Sequence, residues 1–424
     1  MTVHYLKSAT PQAPEQKIEL RDQVTDILLA IEKGGEAEAL RFARRFDRWE
    51  GDIVVTPKEI EAATARLSPS LREDIDFAHE NIRRFADAQR ATLTDMEIEM
   101  AQGFMAGQKS IPVLGAGCYA PGGRFSHVAS ALMTITTAKA AGVEFVAASS
   151  PPRGGFGISD EMAYAMHLAG ADTILRMGGV QAIASMAFGF FGMTPVDVLA
   201  GPGNSWVAEA KRQLFGRVGI DMVAGPTDSL ILADSSAHAE VVSWDMVGQM
   251  EHGADSPVWL VTDDADLASA VLEMIPGLIG SLPAANAESA AVAWANLAEI
   301  VVCDTREEMA RMADTYAPEH LHVQARDLDW WLGRLKAYGS LFLGEETTVA
   351  FGDKASGPNH VLPTSGAARY TGGLSVHKFL KTVTWQKSTA EAARRVAEVT
   401  ARISRMEGME AHARTADIRL SPRG

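Results

Sequence analysis

The feature that most constrains the fold of this chain is an alternation of short apolar runs with helices rich in small residues, which begins near residue 111. The apolar runs are strand candidates, at 143–147, 173–175, 196–199, 229–232, 258–261, 300–302 and 340–342. Helix candidates lie between several of them, at 127–141, 158–169, 204–215 and 236–251. A strand–helix–strand alternation needs crossover connections, so the pattern predicts parallel sheets covered by helices, in two α/β units.

Helical periodicity flanks this region on both sides. Before it, apolar residues recur at helical spacing over 21–47, where Gly34-Gly35 marks a break, and over 57–92, which is predicted to form two helices. After it, 386–411 is a polar stretch predicted to be helical, and 415–424 is predicted to be a short extended tail. The fold class is therefore α/β with N-terminal helices and a helical C-terminal tail, which could dock on its own chain or on a partner subunit.

Composition excludes several classes of protein. A chain of 424 residues with a net charge of −15 lacks the basic surface that a nucleic-acid-binding protein needs. The N-terminus has no apolar signal-peptide core, and no uncharged apolar run reaches the roughly 18 residues of a membrane span. The two cysteines, Cys118 and Cys303, are too few for a disulfide framework. We expect a cytoplasmic protein with no nucleic-acid or membrane partner.

Glycine-rich turns follow several of the predicted strands. They lie at 119–123, 177–181, 200–204 and 224–227. Such turns can present backbone N–H groups to phosphates where parallel strands end, although glycine and proline also make ordinary tight connections. Four of them in one α/β region favour a nucleotide or phosphate site. The segment that starts at Gly115-Ala-Gly117 does not complete the Gly-x-Gly-x-x-Gly fingerprint.

The candidate metal ligands are Gln249, His252, Asp353 and His412. Gln249 and His252 are three residues apart, so one helical turn could point an amide oxygen and an imidazole at the same ion. Asp353 lies in a turn-rich stretch that suits a projecting carboxylate. Zinc accepts nitrogen and oxygen ligands, but spacing alone leaves a surface role open for each histidine.

A candidate acid–base pair is Glu319-His320, a carboxylate beside an imidazole just after Pro318, where the chain is predicted to leave a helix. Histidine titrates near neutral pH, which suits a general base for alcohol oxidation, and the carboxylate could serve a second proton transfer. A surface pair at a helix end is the alternative. Cys118 could form a covalent adduct with an aldehyde, although packing as a small buried residue is favoured.

These motifs resemble the histidinol dehydrogenase family along nearly the whole chain, from residue 20 to 422. The matching patterns are Tyr-x-Pro-Gly-Gly at 119–123, Gly-Gly-x-Gln-Ala at 178–182, Gly-Pro-Gly-Asn at 201–204, Gln-x-Glu-His-Gly at 249–253, Ala-Pro-Glu-His-Leu at 317–321 and Gly-Pro-Asn-His-Val-Leu-Pro at 357–363. In the tail, His412 preceded by Glu407 also matches.

The resemblance implies a zinc- and NAD-dependent dehydrogenase that oxidises an alcohol through an aldehyde to a carboxylate. It implies a homodimer in which the tail reaches the partner's site. Zinc would be held by Gln249, His252, Asp353 and His412. His320 would be the base for alcohol oxidation, and Glu319 would activate water. Tyr119, Gln181 and Asn204 would contact NAD, whereas Thr227, His360 and the tail residue Glu407 would face the substrate.

We expect four regions in the chain. Residues 1–20 form an N-terminal arm, and 21–118 together with 227–370 form a first α/β domain with the helical N-terminal part, the zinc ligands and the catalytic residues. Residues 119–226 form a second, NAD-binding α/β domain, and 371–424 form the tail. Both α/β domains are expected to be incomplete Rossmann-like units.

Departures from the family pattern point to the substrate. Val349 stands where histidinol dehydrogenases usually carry a glutamate, Thr227 stands where they usually carry a serine, and Arg124 follows the Pro-Gly-Gly motif in place of a small residue. Losing an acid and gaining a cation favours an anionic substrate, because arginine offers a planar fork of donors to sulfonate, phosphate or carboxylate. Arg124 could equally bind NAD phosphates or lie at the surface.

The stretches 349–353 and 366–377 resemble the sulfopropanediol dehydrogenase branch of this family, which oxidises 2,3-dihydroxypropane-1-sulfonate to sulfolactate. The hypothetical sulfonate contacts are Arg124, His127 and Arg369. One alternative is histidinol oxidation in histidine biosynthesis. Another, from a different class, is a catalytically silent nucleotide-binding protein, which the complete set of candidate ligands and the Glu319-His320 pair oppose.

Overall fold

The computed structural model describes residues 3–10, 17–122, 126–153, 157–223 and 225–421. The strands are β1 (His4–Lys7), β2 (Met96–Ala101), β3 (Phe104–Pro112), β4 (Gly115–Tyr119), β5 (Phe145–Ser150), β6 (Thr173–Arg176), β7 (Val198–Ala200), β8 (Gly219–Ile220), β9 (Ser229–Ala233), β10 (Val258–Thr262), β11 (Glu299–Val302), β12 (His320–Gln324), β13 (Ser340–Leu343) and β14 (Leu380–Ser388). The α-helices are α1 (Lys17–Phe42), α2 (Pro57–Arg66), α3 (Pro69–Ala91), α4 (Val128–Ala141), α5 (Asp160–Leu168), α6 (Gly179–Phe188), α7 (Ser205–Leu214), α8 (Ala239–Met250), α9 (Ala265–Gly280), α10 (Ala284–Asn296), α11 (Arg306–Tyr316), α12 (Leu328–Arg334), α13 (Val349–Lys354), α14 (Ala390–Met406) and α15 (Glu410–Asp417).

The chain divides into two compact units. The first comprises Met1–Ala88 and Val113–Phe379, and the second comprises Gln89–Pro112 and Leu380–Gly424. Both parallel sheets belong to the first unit. In the part of the chain that the structure describes, no helix is both long and apolar enough to cross a membrane.

The first sheet has five parallel strands in the order β6-β5-β4-β7-β8. The chain starts at the central strand β4, proceeds outward through β5 and β6, and then returns to the other side of β4. This reversal of direction creates a crevice beyond the carboxyl ends of β4 and β7, which is where open α/β sheets bind ligands. Helix α4 is apolar on all faces and is buried almost throughout.

The second sheet has six strands in the order β1-β11-β10-β9-β12-β13, of which β1 is antiparallel to its neighbour. The other strands are parallel, and the same outward-and-back path places β9 and β12 side by side. The prediction of an α/β fold with parallel sheets is confirmed. The sequence missed β4 and β12 because their glycine and histidine content hides their apolar character.

The N-terminal helices differ from the expected domain division. Buried residues of α1, including Val24, Ile31 and Phe42, belong to the same core as Ile183 and Val207, which lie on the helices that follow β6 and β7. Helix α1 therefore covers the first sheet and not the second, which carries the candidate zinc ligands. The expected boundary between residues 118 and 119 also cuts through β4, the central strand of the first sheet. The two helices predicted over 57–92 correspond to α2 and α3. The predicted break at Gly34-Gly35 corresponds to a kink of α1 at Gly35, where φ is 65°.

The second unit contains a three-stranded antiparallel sheet, β14-β3-β2, followed by α14 and α15. Residues 386–411 were predicted to be helical, but the strand β14 extends to Ser388 because it pairs with β3 along its whole length. Trp385 lies opposite Gly107, and a Cβ atom at Gly107 would come within 2.3 Å of the indole. The expected extended tail from 415 is also wrong, since α15 extends to Asp417.

Candidate active site

Glu319 and His320 lie at the amino end of β12, directly after the end of α11. Helix α11 ends at Tyr316, Ala317 adopts a left-handed conformation with φ of 50°, and Pro318 prevents the helix from continuing. A left-handed alanine is strained, and such strain is found where the surrounding structure fixes a functional segment. The turn brings both side chains to a cavity of about 390 Å³, here called the catalytic cavity.

Asp228, the residue before β9, holds the Glu319 segment in place. Its Oδ1 accepts a hydrogen bond from the Glu319 N–H at 2.7 Å, its Oδ2 accepts one from the Ser365 N–H at 2.7 Å, and its own N–H donates to Glu319 Oε2 at 3.3 Å. Glu319 is 6% exposed, and burial raises the pKa of its carboxyl to about 8, with the negative charge of Asp228 acting in the same direction. A carboxyl group with this pKa can release or accept a proton near neutral pH.

His320 is 3% exposed and has one ring nitrogen available for a substrate. Its Nδ1 lies 3.4 Å from Ser229 Oγ, whereas its Nε2 is buried and has no hydrogen-bond partner among the described residues. Burial alone would lower the pKa of His320, but the neighbouring carboxylates outweigh it and raise the pKa to about 9. Asp353 Oδ1 lies 3.6 Å from Nε2 and remains ionised, so it supports the raised pKa even when Glu319 is neutral.

Three of the four predicted zinc ligands lie in the first unit, close to His320. Gln249 is in the last turn of α8, and its Oε1 accepts a hydrogen bond from Ser229 Oγ at 3.1 Å. His252 lies two residues beyond α8, and its Nε2 is 3.7 Å from Asp353 Oδ2. His412 is on α15 in the second unit, with an exposed side chain.

An amide oxygen, an imidazole and a carboxylate form a donor set that zinc accepts, and catalytic zinc sites commonly have three protein ligands and an open position. Within the described ranges, however, no group of three or more His, Cys, Asp or Glu side chains is arranged to hold a metal ion. Gln249 is not among those residue types, so His252 and Asp353 alone do not reach that number. Gln249, His252 and Asp353 are therefore an incomplete donor set within the first unit.

A buried polar cluster behind the catalytic residues was not found from the sequence. Asp245 of α8 accepts hydrogen bonds from Gln324 Nε2 at 2.6 Å and from Thr348 Oγ1 at 2.8 Å, and it lies 3.4 Å from His322 Nδ1. Thr348 caps the amino end of α13, the helix that carries Asp353. The cluster thus joins the three elements that carry Gln249, His320 and Asp353, and it fixes their relative positions.

A second cavity, of about 650 Å³, lies at the carboxyl ends of the first sheet and is here called the cofactor cavity. Its volume is typical of a cofactor pocket. The three residues predicted to contact NAD, Tyr119, Gln181 and Asn204, all line it. Asn204 caps α7, and its Oδ1 accepts the N–H groups of the residues two and three positions later. The cofactor cavity and the catalytic cavity share lining residues, which include Asn204 and His127.

Asp47 is a further residue of the cofactor cavity that the sequence did not reveal. Its Oδ2 accepts a hydrogen bond from Gln181 Nε2 at 2.9 Å and from the Gly178 N–H at 3.1 Å. Burial raises the pKa of the Asp47 carboxyl. The residue orients the amide of Gln181 and occupies the amino end of α6, so this helix end is not free to bind a phosphate.

A buried ion pair fixes the glycine turn after β7. Lys211 and Asp221 are paired with side chains 2% and 0% exposed, and both also bind Gly201. Lys211 Nζ donates to the Gly201 carbonyl at 2.9 Å, and the Gly201 N–H donates to Asp221 Oδ2 at 2.7 Å. At Gly201, where φ is 118°, a Cβ atom would lie 2.0 Å from the Tyr119 carbonyl oxygen, so only glycine fits.

The residues predicted to face the substrate are distributed over several places. Thr227, His127 and His360 line the catalytic cavity. His360 bonds Ser130 Oγ at 2.8 Å and the Asp353 carbonyl at 2.9 Å, so both of its ring nitrogens are engaged. Burial lowers the pKa of His127 to about 4, so the imidazole is neutral and could contact a sulfonate only as a hydrogen-bond donor.

Arg369 does not line the catalytic cavity. The guanidinium of Arg369 donates to the Gly366 and Thr315 carbonyls, and the residue lines a neighbouring cavity of about 380 Å³. Arg124 lies outside the described residues. Glu407 ends α14 in the second unit. The arginine hypothesis for sulfonate binding therefore has no support from the geometry of Arg369.

Cys118 is 1% exposed in the central strand of the first sheet, and burial raises the pKa of its thiol to about 12. The reactive thiolate form is therefore scarce at neutral pH. This environment favours the packing role over the covalent one. Cys118 and Cys303 are both unpaired and buried.

Together, the fold and the site define a class of enzyme. Two doubly wound sheets carry a cavity with a buried imidazole–carboxyl pair next to a cavity of cofactor size, which is an arrangement for oxidation or reduction with a dinucleotide. The profile of the histidinol dehydrogenase family matches residues 10–420, and the chain belongs to this family. It is accordingly an NAD-dependent dehydrogenase that acts on a CH–OH group.

Individual relatives agree with this assignment. The sulfopropanediol 3-dehydrogenase of Ruegeria pomeroyi is 60% identical over 99% of this chain and 97% of its own length. The histidinol dehydrogenase of Haloarcula marismortui is 38% identical over 93% of this chain and 92% of its own length. The crystal structure of histidinol dehydrogenase from Elizabethkingia anophelis is 32% identical and superposes with a TM-score of 0.90, covering 97% of this chain and 94% of that one.

Replacing Lys211 with Met should lower the free energy of unfolding by about 3–5 kcal/mol, because it leaves the buried Asp221 carboxylate without a partner. The double variant Lys211→Met/Asp221→Asn should recover part of this loss, since neither charge remains. Urea unfolding of the three proteins checks both statements. Equal losses in the single and double variants would contradict the importance of the unpaired charge.

Proposed function

We propose that this protein is a zinc-dependent, NAD-linked dehydrogenase that oxidises 2,3-dihydroxypropane-1-sulfonate, through the aldehyde, to 3-sulfolactate. The observation that carries the chemistry is the buried Nε2 of His320, which has no hydrogen-bond partner among the described residues, in a residue that lines a cavity sharing lining residues with the cofactor cavity. The substrate is supported by the 60% identity to the Ruegeria pomeroyi enzyme and by Val349 in place of the usual acid.

His320 would act in the alcohol oxidations. In the neutral imidazole, which prevails as the pH rises past the raised pKa of about 9, Nε2 takes the proton of the primary hydroxyl while a hydride passes from the carbon to NAD, which gives the aldehyde. The aldehyde then adds water, and a second hydride passes to a second NAD. The balance is one alcohol, one water and two NAD⁺ giving one carboxylate, two NADH and three protons.

Glu319 would act in the hydration of the aldehyde. Its Oε2 already accepts a hydrogen bond from the Asp228 N–H, so the carboxyl group is held in one orientation. With a pKa raised to about 8 by burial, its ionised form is basic enough to take a proton from a water molecule as that water adds to the carbonyl. The side chain thus supplies the water step while His320 supplies the hydroxyl step.

Zinc would be held by Gln249, His252 and Asp353 together with His412. When bound, it would act as a Lewis acid that orients and polarises the substrate oxygen atoms. The polar cluster around Asp245 would keep α8 and α13 in register, so that the amide, the imidazole and the carboxylate converge. Such supporting residues commonly affect metal affinity as ligands do, though less strongly.

The ligand His412 would come from the partner in a homodimer. The second unit exposes many large apolar side chains, whereas its own buried cluster consists of alanines. The exposed side chains are Met96, Ile98, Met100, Ile111, Val396, Val399, Ile403, Met406, Met409 and Ile418. An apolar surface of this extent favours coverage by another chain, and a second copy would supply Glu407 with His412.

The two unpaired thiols are consistent with a cytoplasmic location.

We expect the zinc-loaded protein to form two NADH per molecule of 2,3-dihydroxypropane-1-sulfonate and none with histidinol. His320→Gln should lower kcat by roughly 10²–10⁴-fold, because the hydroxyl proton loses its acceptor. Glu319→Gln should retain the first NADH and slow the second, since only aldehyde hydration loses its base. Stopped-flow absorbance at the NADH band measures both, with the exposed His167→Gln as a matched control. Turnover of histidinol alone would establish the alternative substrate instead.

Removing the metal tests the zinc proposal. Dialysis against a chelator should abolish NADH formation, and added zinc should restore it. Asp245→Asn should weaken zinc binding by roughly 10–100-fold through the displaced α13, as measured by competition with a chromogenic chelator. Asp74→Asn, at an exposed site on α3, is the control. Full activity in a protein shown by elemental analysis to be metal-free would refute the requirement.

A mixture of two inactive variants tests the shared site. His320→Gln chains have an intact tail, and His412→Asn chains have an intact first unit. If the tail serves the partner, subunit exchange should give one complete site per heterodimer and about a quarter of the wild-type activity. If the tail serves its own chain, the mixture has no complete site and remains inactive.

A further inference from the structure

The catalytic cavity contains one lysine or arginine side chain among its described lining residues, and that residue is Lys354. We propose that Lys354 is the anion-binding group of this cavity and selects alcohols that carry a sulfonate or a similar anionic group. The inference rests on the proposed function, which requires an anionic alcohol, and it names the residue that recognises the anion.

Position is the first argument for Lys354. It is the last residue of α13, and its neighbour Asp353 is the candidate zinc ligand and contact of His320. The exposed side chain of Lys354 lines the catalytic cavity together with His320 and His360. A positive charge at the C-terminal end of a helix is also stabilised by the helix dipole, which favours a lysine at this position.

Lack of a partner is the second argument. No ion pair or hydrogen bond joins the Lys354 ammonium to another described residue. The carboxylate of Asp353 instead lies 3.7 Å from His252 and 3.6 Å from His320, so it is directed towards the imidazoles. An ammonium group without a counter-ion that lines an active-site cavity is available to an anionic ligand.

The other cationic candidates are excluded by what they bind. Arg369 lines the neighbouring cavity and donates to two backbone carbonyls. His360 bonds a hydroxyl and a carbonyl through its two ring nitrogens. The acids that line the catalytic cavity are Asp255, Glu319 and Asp353; Asp353 faces two imidazoles and Asp255 also lines the neighbouring cavity, whereas Lys354 lines the catalytic cavity and not that one.

Lys354 also accounts for discrimination between the two candidate substrates. A hydrogen bond from an ammonium group to a sulfonate is strengthened by the charges of both groups. The same ammonium would repel the protonated amine of histidinol, because like charges close together oppose binding. One side chain therefore favours the anionic alcohol and disfavours the cationic one.

The test compares Lys354→Met, Lys354→Arg and the exposed Lys58→Met as a matched control. For 2,3-dihydroxypropane-1-sulfonate, Lys354→Met should raise KM roughly 10–100-fold with a smaller change in kcat, because the sulfonate is remote from the reacting carbon. Lys354→Arg should restore most of the affinity. For propane-1,2-diol, which lacks the sulfonate, kcat/KM of Lys354→Met should equal that of the wild type. An unchanged KM for the sulfonate in Lys354→Met overturns the proposal.

A second measurement does not depend on turnover. Calorimetric binding of the sulfonate diol to the NADH-bound protein is compared in the wild type and Lys354→Met. Weaker binding in the variant without turnover in the wild type would support the anion site and refute the proposed oxidation. Turnover in the wild type with equal binding in both proteins would support the proposed oxidation and refute the anion site at Lys354. Absence of binding in the wild type would refute both the oxidation and the anion site.

Discussion

The hydrogen bonds of Asp228 are the constraint on which the catalytic centre depends. The carboxylate of this residue accepts the N–H groups of Glu319 and Ser365, and its own main chain bonds the Glu319 carboxyl and the His320 N–H. Three separate segments of the chain are therefore tied at the amino ends of β9 and β12. With Asp228 in place, the turn after α11 has one conformation, and both acid–base groups face the same cavity.

The two sheets present opposite ends of their strands to the site. The first sheet offers the carboxyl ends of its strands to the cofactor cavity, as doubly wound sheets commonly do. The second sheet offers the amino ends of β9 and β12, where His320 and Ser229 begin their strands. Because His127 and Asn204 line both cavities, the cavity proposed for the cofactor adjoins the cavity proposed for proton transfer. The buried pair of Lys211 and Asp221 keeps this boundary rigid.

Sequence reasoning succeeded where the signal was local. The strand at 229–232 and the helix at 236–251 were found because their apolar periodicity needs no distant partner, and the adjacency of Glu319 and His320 is written in the chain. It failed at β4 and β14, where pairing with a neighbouring strand decides the structure. The position of Arg369 at the neighbouring cavity was not predictable for the same reason, since nothing local shows that its guanidinium binds the Thr315 carbonyl.

The sequence by itself determined the α/β class and the family, and it supplied the candidates for an acid–base pair and for metal ligands, because these follow from periodicity and from short motifs. Only the tertiary structure decided which groups meet. Asp228 lies 91 residues before Glu319, and Asp47 lies 134 residues before Gln181. Lys354 is an ordinary helix-terminal lysine in the sequence, and its place in the catalytic cavity depends on strand order and on the packing of α13. Contacts of this kind arise from the folded path of the chain, which no local pattern encodes.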